Sequence, residues 1–413
     1  MNFEVIKRSH VKRNILIGVL VVLILTAIIL TFTKAKYKIT ESIPLVNGTI
    51  NYELSDFNLI GAYIQEGDNY IQVNEIPTSG YEFNSEKSYC TVNNENINAT
   101  LNYDMETQNL TITPLTTKGT KCYLYFDEKA SGGDYILAGD NPPTNSTTDW
   151  TGGTSYYYTG NPNNWVQFAG FWWRIIRING DGTIRMIYQG TSANTTGTGT
   201  QIGESFFNSS YNNNMYVGYM YTSGQRQGTG SSSAIKGVLD QWYSVTSGLT
   251  AYSDYIDGNA GFCGDRRVSS GNGIGTSVTN YQPYTRISNS SPSLSCEDAD
   301  IYTTTDSSTG NKSLTYPIGL ISADEAMFAG IPIWNNSSPS NYLCTEEYYW
   351  TMSPSFFEGI SAYVFNIDSS GSLVDNYYVN RTHRVRPVIN LRADVSLTGS
   401  GTTSDPFKVV GAS

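Results

Sequence analysis

Few residues in this chain could do acid, base or nucleophilic work. It holds two histidines, His10 and His383, and His10 sits in a basic leader ahead of an apolar run. A histidine-dependent zinc site or a serine triad would therefore rest on His383 alone, which stands among Arg381, Arg384 and Arg386. A cationic neighbourhood depresses the basicity of an imidazole, so this position suits an anion contact or a strand end better than a general base. The acid pairs Glu346–Glu347, Asp298–Asp300 and Asp254–Asp257 could in principle serve glycoside hydrolysis, which needs two carboxyls about 5 to 10 Å apart. Neighbouring residues on a strand point to opposite faces, which makes Glu346 and Glu347 poor partners, and solvated surface charge explains the three pairs more simply. No phosphate loop, dinucleotide fingerprint or metal-ligand cluster is present in the sequence. The expectation is a non-catalytic chain with no metal site and no cofactor.

Five cysteines supply the remaining chemistry. Cys90 in KSYCTV and Cys122 in TKCYLYF lie in strand-like contexts, and Cys263 and Cys296 bracket a loop-rich region. In a chain exported to an oxidising space, the reading is a Cys90–Cys122 bridge and a Cys263–Cys296 bridge, with Cys344 free. Spacing does not fix connectivity, and a pairing that includes Cys344 is the alternative.

Export is the expectation because Ile15 to Thr33 is an uncharged run of 19 residues, about 28 Å as a helix against a hydrocarbon core of about 30 Å. Lys7, Arg8, Lys12 and Arg13 precede it, which places 1–14 in the cytoplasm and the rest of the chain outside. The run is longer than the apolar part of a cleaved signal peptide and ends without a small-residue cleavage site. A single uncleaved anchor at the cell membrane is therefore expected. The whole chain carries −11, but residues 1–38 contribute seven basic residues against Glu4, so the remainder carries −17. Such an ectodomain has no electrostatic footprint for nucleic acid.

Composition sets the fold class. Charged residues make up only 15 % of the 413, whereas there are 31 Tyr and 39 Gly, which favours many strands joined by polar turns over helices. The class is mainly β with a few helices, α+β. Residues 37–129 alternate short apolar segments with turns at the spacing of an immunoglobulin-like β-sandwich. Ala130-Ser131-Gly132-Gly133 is a flexible break, after which all seven Trp residues occur; a second domain is expected over 133–413.

Within it, FWWRIIRINGDGTIRMIY at 171–188 predicts a hairpin turning at Asn179–Gly182, with Arg174, Arg177 and Arg185 alternating with apolar residues. Trp172 and Trp173 are expected in edge and core packing. Ile235, Val238, Leu239 and Trp242 predict an amphipathic helix, and Ser322 with Glu325 has the spacing of a capping box. The densest strand signal lies at 348–391. There Tyr363, Phe365 and Ile367 alternate with more polar residues, Asp368–Ser372 reads as a tight turn, and Trp350 is expected as a core anchor. A last strand is expected to put Val385, Pro387, Ile389 and Leu391 on one face, with an edge position or a bulge at Pro387, which cannot donate to a ladder.

Tyr349-Trp350-Thr351-Met352-Ser353, the following strand and Gly turn, and Val385-Arg386-Pro387-Val388 resemble the C-terminal part of the bacterial C-type-lectin-like domain superfamily, the fold of formylglycine-generating enzymes. Pro317–Glu325 followed by the same Tyr-Trp-Thr-Met-Ser is similar to membrane-anchored surface proteins of low-GC bacteria. The resemblance implies a domain over roughly 133–413 in which the first and last strands pair with each other, two helices flank the sheet and a long loop region is inserted between them. It does not carry over either known activity. The copper-binding cysteine pair has no counterpart beyond Cys344, and Gln282-Pro283-Tyr284 and Trp334-Asn335-Asn336 lack the carboxylates of a calcium lectin site.

These observations point to an anchored extracellular adhesion protein presenting a lectin-like domain to a glycan or protein ligand. Trp334, Asn335, Asn341, Tyr342, Tyr377, Tyr378, His383 and Arg384 are the candidate ligand contacts, since aromatic faces stack on apolar surfaces and amides bond hydroxyls. Two alternatives stand beside it: an extracellular glycosidase-like enzyme using paired carboxylates, and a structural envelope or pilus-like component.

Overall fold

A computed structural model describes residues 57–67, 69–77, 81–105, 108–114, 119–129, 131–334 and 336–412. The anchor expected at 15–33 lies outside them, and among the described residues no helix is long and apolar enough to cross a membrane. The fold is mainly β with short helices, and the chain divides into two compact units at 129/130.

The first unit is built on a five-stranded sheet in the order Asn69–Val73, Phe57–Glu66, Thr120–Glu128, Tyr81–Val92, Glu95–Asn96. Phe57–Glu66 runs parallel to Thr120–Glu128, and the other neighbours are antiparallel. A separate hairpin, Thr100–Asp104 with Asn109–Thr113, turns Leu101, Tyr103, Leu110 and Ile112 into a core shared with Cys122, Leu124 and Phe126. Period-two alternation produces this, because every second residue of Thr120–Glu128 is buried from Thr120 to Phe126.

Cys90 and Cys122 face each other in register on adjacent strands and are bridged, with Cα atoms 4.1 Å apart. The bridge closes a loop whose ends are 32 positions apart. Replacing both cysteines by alanine should therefore lower the stability of this unit by about 2–4 kcal/mol, read as a shifted urea midpoint, mainly by freeing the unfolded chain. An unchanged midpoint would show that strand packing alone holds the pair.

The second unit contains two larger sheets. One runs Val388–Leu391, Ile184–Gly190, Phe171–Ile178, Trp165–Phe168, Phe407–Val409, Leu397–Thr398, with Thr154–Tyr157 and Asn145–Thr148 added at one corner. The other runs Gly203–Phe206, Thr382–Val385, Tyr349–Phe357, Thr279–Tyr281, Val268–Ser270, with Ala362–Ile367 and Leu373–Val374 as a side branch. The hairpin forms as the sequence predicts, with Asn179 closing its turn onto Thr183. Trp173 is buried and Trp172 half-buried. Helix Ala234–Val245 starts on Ser233, whose side chain accepts from the Lys236 N–H. Helix Ala323–Phe328 carries the full Ser322–Glu325 capping box. Asp368 closes its turn by accepting from the backbone of Ser370 and Ser372, with Gly371 at φ 74°.

Three expectations change. Arg174, Arg177 and Arg185 are 3 %, 1 % and 1 % exposed, because both faces of the hairpin are covered; the polar face implied by alternation is an interior one. Ala362–Ile367 is likewise buried at every position instead of half-buried. The expected last strand is two strands: Thr382–Val385 belongs to one sheet and Val388–Leu391 to the other. Arg386–Pro387 is the crossover, where the missing N–H costs no ladder bond and the Pro387 carbonyl accepts from Tyr188 N–H at 2.9 Å. Cys263–Cys296 is bridged, and Cys344 is free.

Candidate functional site

The segment between Leu373–Val374 and Thr382–Val385 is irregular but tightly fastened. Val379 is fully buried, its N–H donates to the Ala362 carbonyl at 3.0 Å, and its carbonyl accepts from Asn208 N–H at 2.9 Å. Tyr363 and Tyr378 form a bridge pair. This fastening holds Tyr377 and Tyr378, both half-buried, at the surface beside the Tyr349–Phe357 and Ala362–Ile367 strands.

A row of rings follows. Tyr211, 40 % exposed, stacks on Tyr378 at 6.1 Å. Tyr378 meets Tyr363 edge-on at 5.0 Å, Tyr363 stacks on Phe356 at 4.2 Å, and Phe356 meets Tyr284 at 5.7 Å. A second group joins Tyr348, Tyr377 and Trp350 around His383, at 5.5, 4.8 and 4.6 Å. Rings that already touch one another lose little freedom when a ligand covers them, which favours binding by stacking.

The polar neighbours are held as well. Arg384 pairs with Glu204 at 3.0 Å and Glu347 at 3.2 Å, and Arg381 lies over the Tyr378 ring at 5.7 Å. Trp334, 38 % exposed, donates its indole N–H to Asp375 at 3.4 Å, and Ser355 donates to the other carboxylate oxygen at 3.0 Å. Burial pushes the Asp375 carboxyl above the usual range, against the pull of those two donors. Burial, with Arg381 adding, pushes the His383 imidazole down to about 4. Its Nε2 is shut away without a hydrogen-bond partner. A base that stays neutral until about that pH, packed among three rings, is part of an aromatic floor rather than a proton shuttle.

No family model, curated protein or solved structure matches this chain.

Of the eight contacts expected from sequence, Trp334, Tyr377, Tyr378, His383 and Arg384 reach the surface in whole or in part, and four of them lie within Tyr377–Arg384. Asn335 lies outside the described residues. Asn341 and Tyr342 are corrected to supporting positions, 3 % and 4 % exposed. Asn341 donates to the Ala329 carbonyl at 2.8 Å and accepts from the Leu343 N–H, while the Tyr342 ring lies under the Arg174 guanidinium at 5.1 Å. A tight turn must satisfy its own backbone, and here that consumes the amide on which the expectation rested.

Sequence reasoning missed Tyr211, Phe356 and Asp375. Tyr211 sits among Asn and Ser without periodicity and gives no signal. Asp375 was within reach, two residues before Tyr377 in the same polar-aromatic run.

The acids elsewhere have other work. Glu325 is held by Arg177 and Arg185, Asp149 by Arg177, Asp300 by Arg266, Asp324 by Arg286, and Asp265 by Arg267 and Arg286. Asp300, one of the acids weighed for glycoside chemistry, is thus a buried ion-pair partner, while Asp298 and Glu346 face solvent. Among the described residues no group of three metal-binding side chains occurs.

Proposed function

We propose that this chain is a non-catalytic adhesion protein of the cell surface, held by the helix at 15–33 with its N-terminus in the cytoplasm. The immunoglobulin-like region 37–129 serves as a stalk, and the lectin-like region 133–413 presents a binding face to a glycan or protein ligand. The pairing of Val388–Leu391 with Ile184–Gly190, and the placing of helices Ala234–Val245 and Ala323–Phe328 between those strands in the chain, support the lectin-like reading.

The observation that carries the binding role is the aromatic face around Tyr378. Five rings in continuous contact end at an exposed tyrosine, and Ile360, in the turn that joins the strands carrying Phe356 and Tyr363, is 71 % exposed. Tyr211 is exposed and Tyr378, Phe356 and Tyr284 are half-buried around the buried Tyr363, so the row offers ring edges and faces that a ligand can cover.

The test is a screen of the soluble 39–413 fragment against arrayed glycans and cell-surface proteins, repeated with Tyr378→Ala. The expected result is a saturable ligand whose affinity falls at least tenfold in the variant, as for a tyrosine near the centre of an interface. A ligand that binds both proteins equally removes the face from the argument, and a screen without any saturable ligand removes the binding role.

A further inference from the structure

A groove of about 380 Å³ lies apart from the aromatic face, between the C-terminal part of helix Ala234–Val245, helix Ser247–Ala251, the 253–258 turn and the 304–317 loop. Its volume falls in the range of small-ligand sites, which begins at about 300 Å³. Tyr316 and Tyr243 form part of its wall as a stacked pair, 5.0 Å apart and 26° from parallel. Tyr243 is 3 % exposed and so fixes the plane of the half-buried Tyr316. Ser253, Thr305 and Thr315, with their hydroxyls, and Asp306, with its carboxylate, line the same groove.

The makeup of the lining selects the occupant. No lysine or arginine lines the groove, so it has nothing to compensate a phosphate, a sulfate or a uronic acid. A single carboxylate can accept two hydroxyls at once, and threonine and serine hydroxyls both donate and accept. An aromatic ring held in a fixed plane stacks on the C–H face of a pyranose. Ser253, Thr305, Asp306 and Thr315 face solvent, so these groups are hydrated when the groove is empty and can exchange water for sugar hydroxyls.

We propose that this groove is a binding site for one neutral pyranose unit of a saccharide, with Tyr316 as the stacking platform and Asp306 as the principal acceptor of its hydroxyls. The site does not depend on the aromatic face around Tyr378, and the two can hold different ligands.

The experiment uses the full-length chain in detergent, with saturation-transfer NMR and titration against methyl β-glucoside, methyl β-galactoside and N-acetylglucosamine, and with glucuronic acid as the anionic counterpart. At least one neutral probe should bind saturably, with a dissociation constant of order millimolar. Tyr316→Ala and, separately, Asp306→Asn should each weaken it tenfold or more. Ile274→Ala, at an exposed residue outside both the groove and the aromatic face, should change it less than twofold, and glucuronic acid should bind at least tenfold more weakly. Asp306 is exposed, so its replacement keeps the test valid if Tyr316→Ala fails to fold. The proposal is overturned if no neutral probe binds, if the groove variants leave binding unchanged, or if glucuronic acid binds best. Sugar binding lost only in Tyr378→Ala overturns the groove while leaving the adhesion reading intact.

Discussion

Glu325→Ala should destabilise the C-terminal unit by about 3–5 kcal/mol, because it leaves the buried Arg185 guanidinium without a counter-charge and Arg177 with Asp149 alone, at 3.5 Å. Arg177 and Arg185 come from neighbouring strands of the hairpin, their side chains are each 1 % exposed, and both contact Glu325 Oε1, at 3.0 and 2.5 Å. Oε2 accepts from the Ser322 N–H at 2.8 Å and from Arg185 at 3.3 Å. One carboxylate therefore caps its own helix and ties that helix to the sheet. Burial alone would push the Glu325 carboxyl up, but Arg185 and Arg177 outweigh it and hold the group below its usual range.

A depressed folded value fixes the sign of the pH dependence. The Glu325 contribution is complete above the ordinary glutamate value of about 4.3 and is lost as pH falls through the lower folded value. Urea denaturation of wild type and variant should therefore differ most near neutrality and converge in acid. Glu325→Gln separates charge from shape. It keeps a partner for the Ser322 N–H, so a cost close to that of alanine assigns the effect to charge, whereas near-wild-type stability would refute it.

That ion cluster also marks where sequence reading stops. The capping box at Ser322, the amphipathic helix over Ile235–Trp242, the 179–182 turn and the 368–372 turn were all legible, since each is decided by residues within a few positions. Alternation also found the hairpin strands correctly. It could not tell that Arg177 and Arg185 point into an interior, because the residue that makes this tolerable lies 148 and 140 positions away. The same limit explains Pro387. Its missing donor announced a break in pairing, but only the neighbouring strands reveal that the break is a change of sheet. At the candidate site, Tyr377, Tyr378 and His383 were legible as an aromatic cluster in one short run. Tyr211 and Phe356 join it only through the fold, and Asn341 and Tyr342 leave it because the helix end at Ala329 and the Arg174 side chain claim them.

Trp350→Ala should cost about 3–5 kcal/mol, the usual range for emptying a fully buried tryptophan site, and it should also release His383. Trp350 is 0 % exposed, packs on Phe207 at 5.9 Å and donates its indole N–H to the Ser205 carbonyl at 3.0 Å. It is therefore the point where the Tyr349–Phe357 strand, the Gly203–Phe206 strand and His383 meet. Water entering the vacated space would reach the imidazole and relieve the burial that pushes it down to about 4, so an NMR titration should find His383 at least one unit nearer its ordinary value of about 6.5. The wild-type protein should lose stability as pH falls from about 6.5 to about 4, since over that window the unfolded chain takes up the proton and the folded one does not. In Trp350→Ala that slope should flatten. Trp350→Phe keeps a ring beside His383 but removes the bond to Ser205, and should cost less than the alanine variant while leaving the imidazole low. If the alanine variant titrates like wild type, Arg381 rather than burial sets the imidazole, and Trp350 supports the strands but not the floor of the aromatic face.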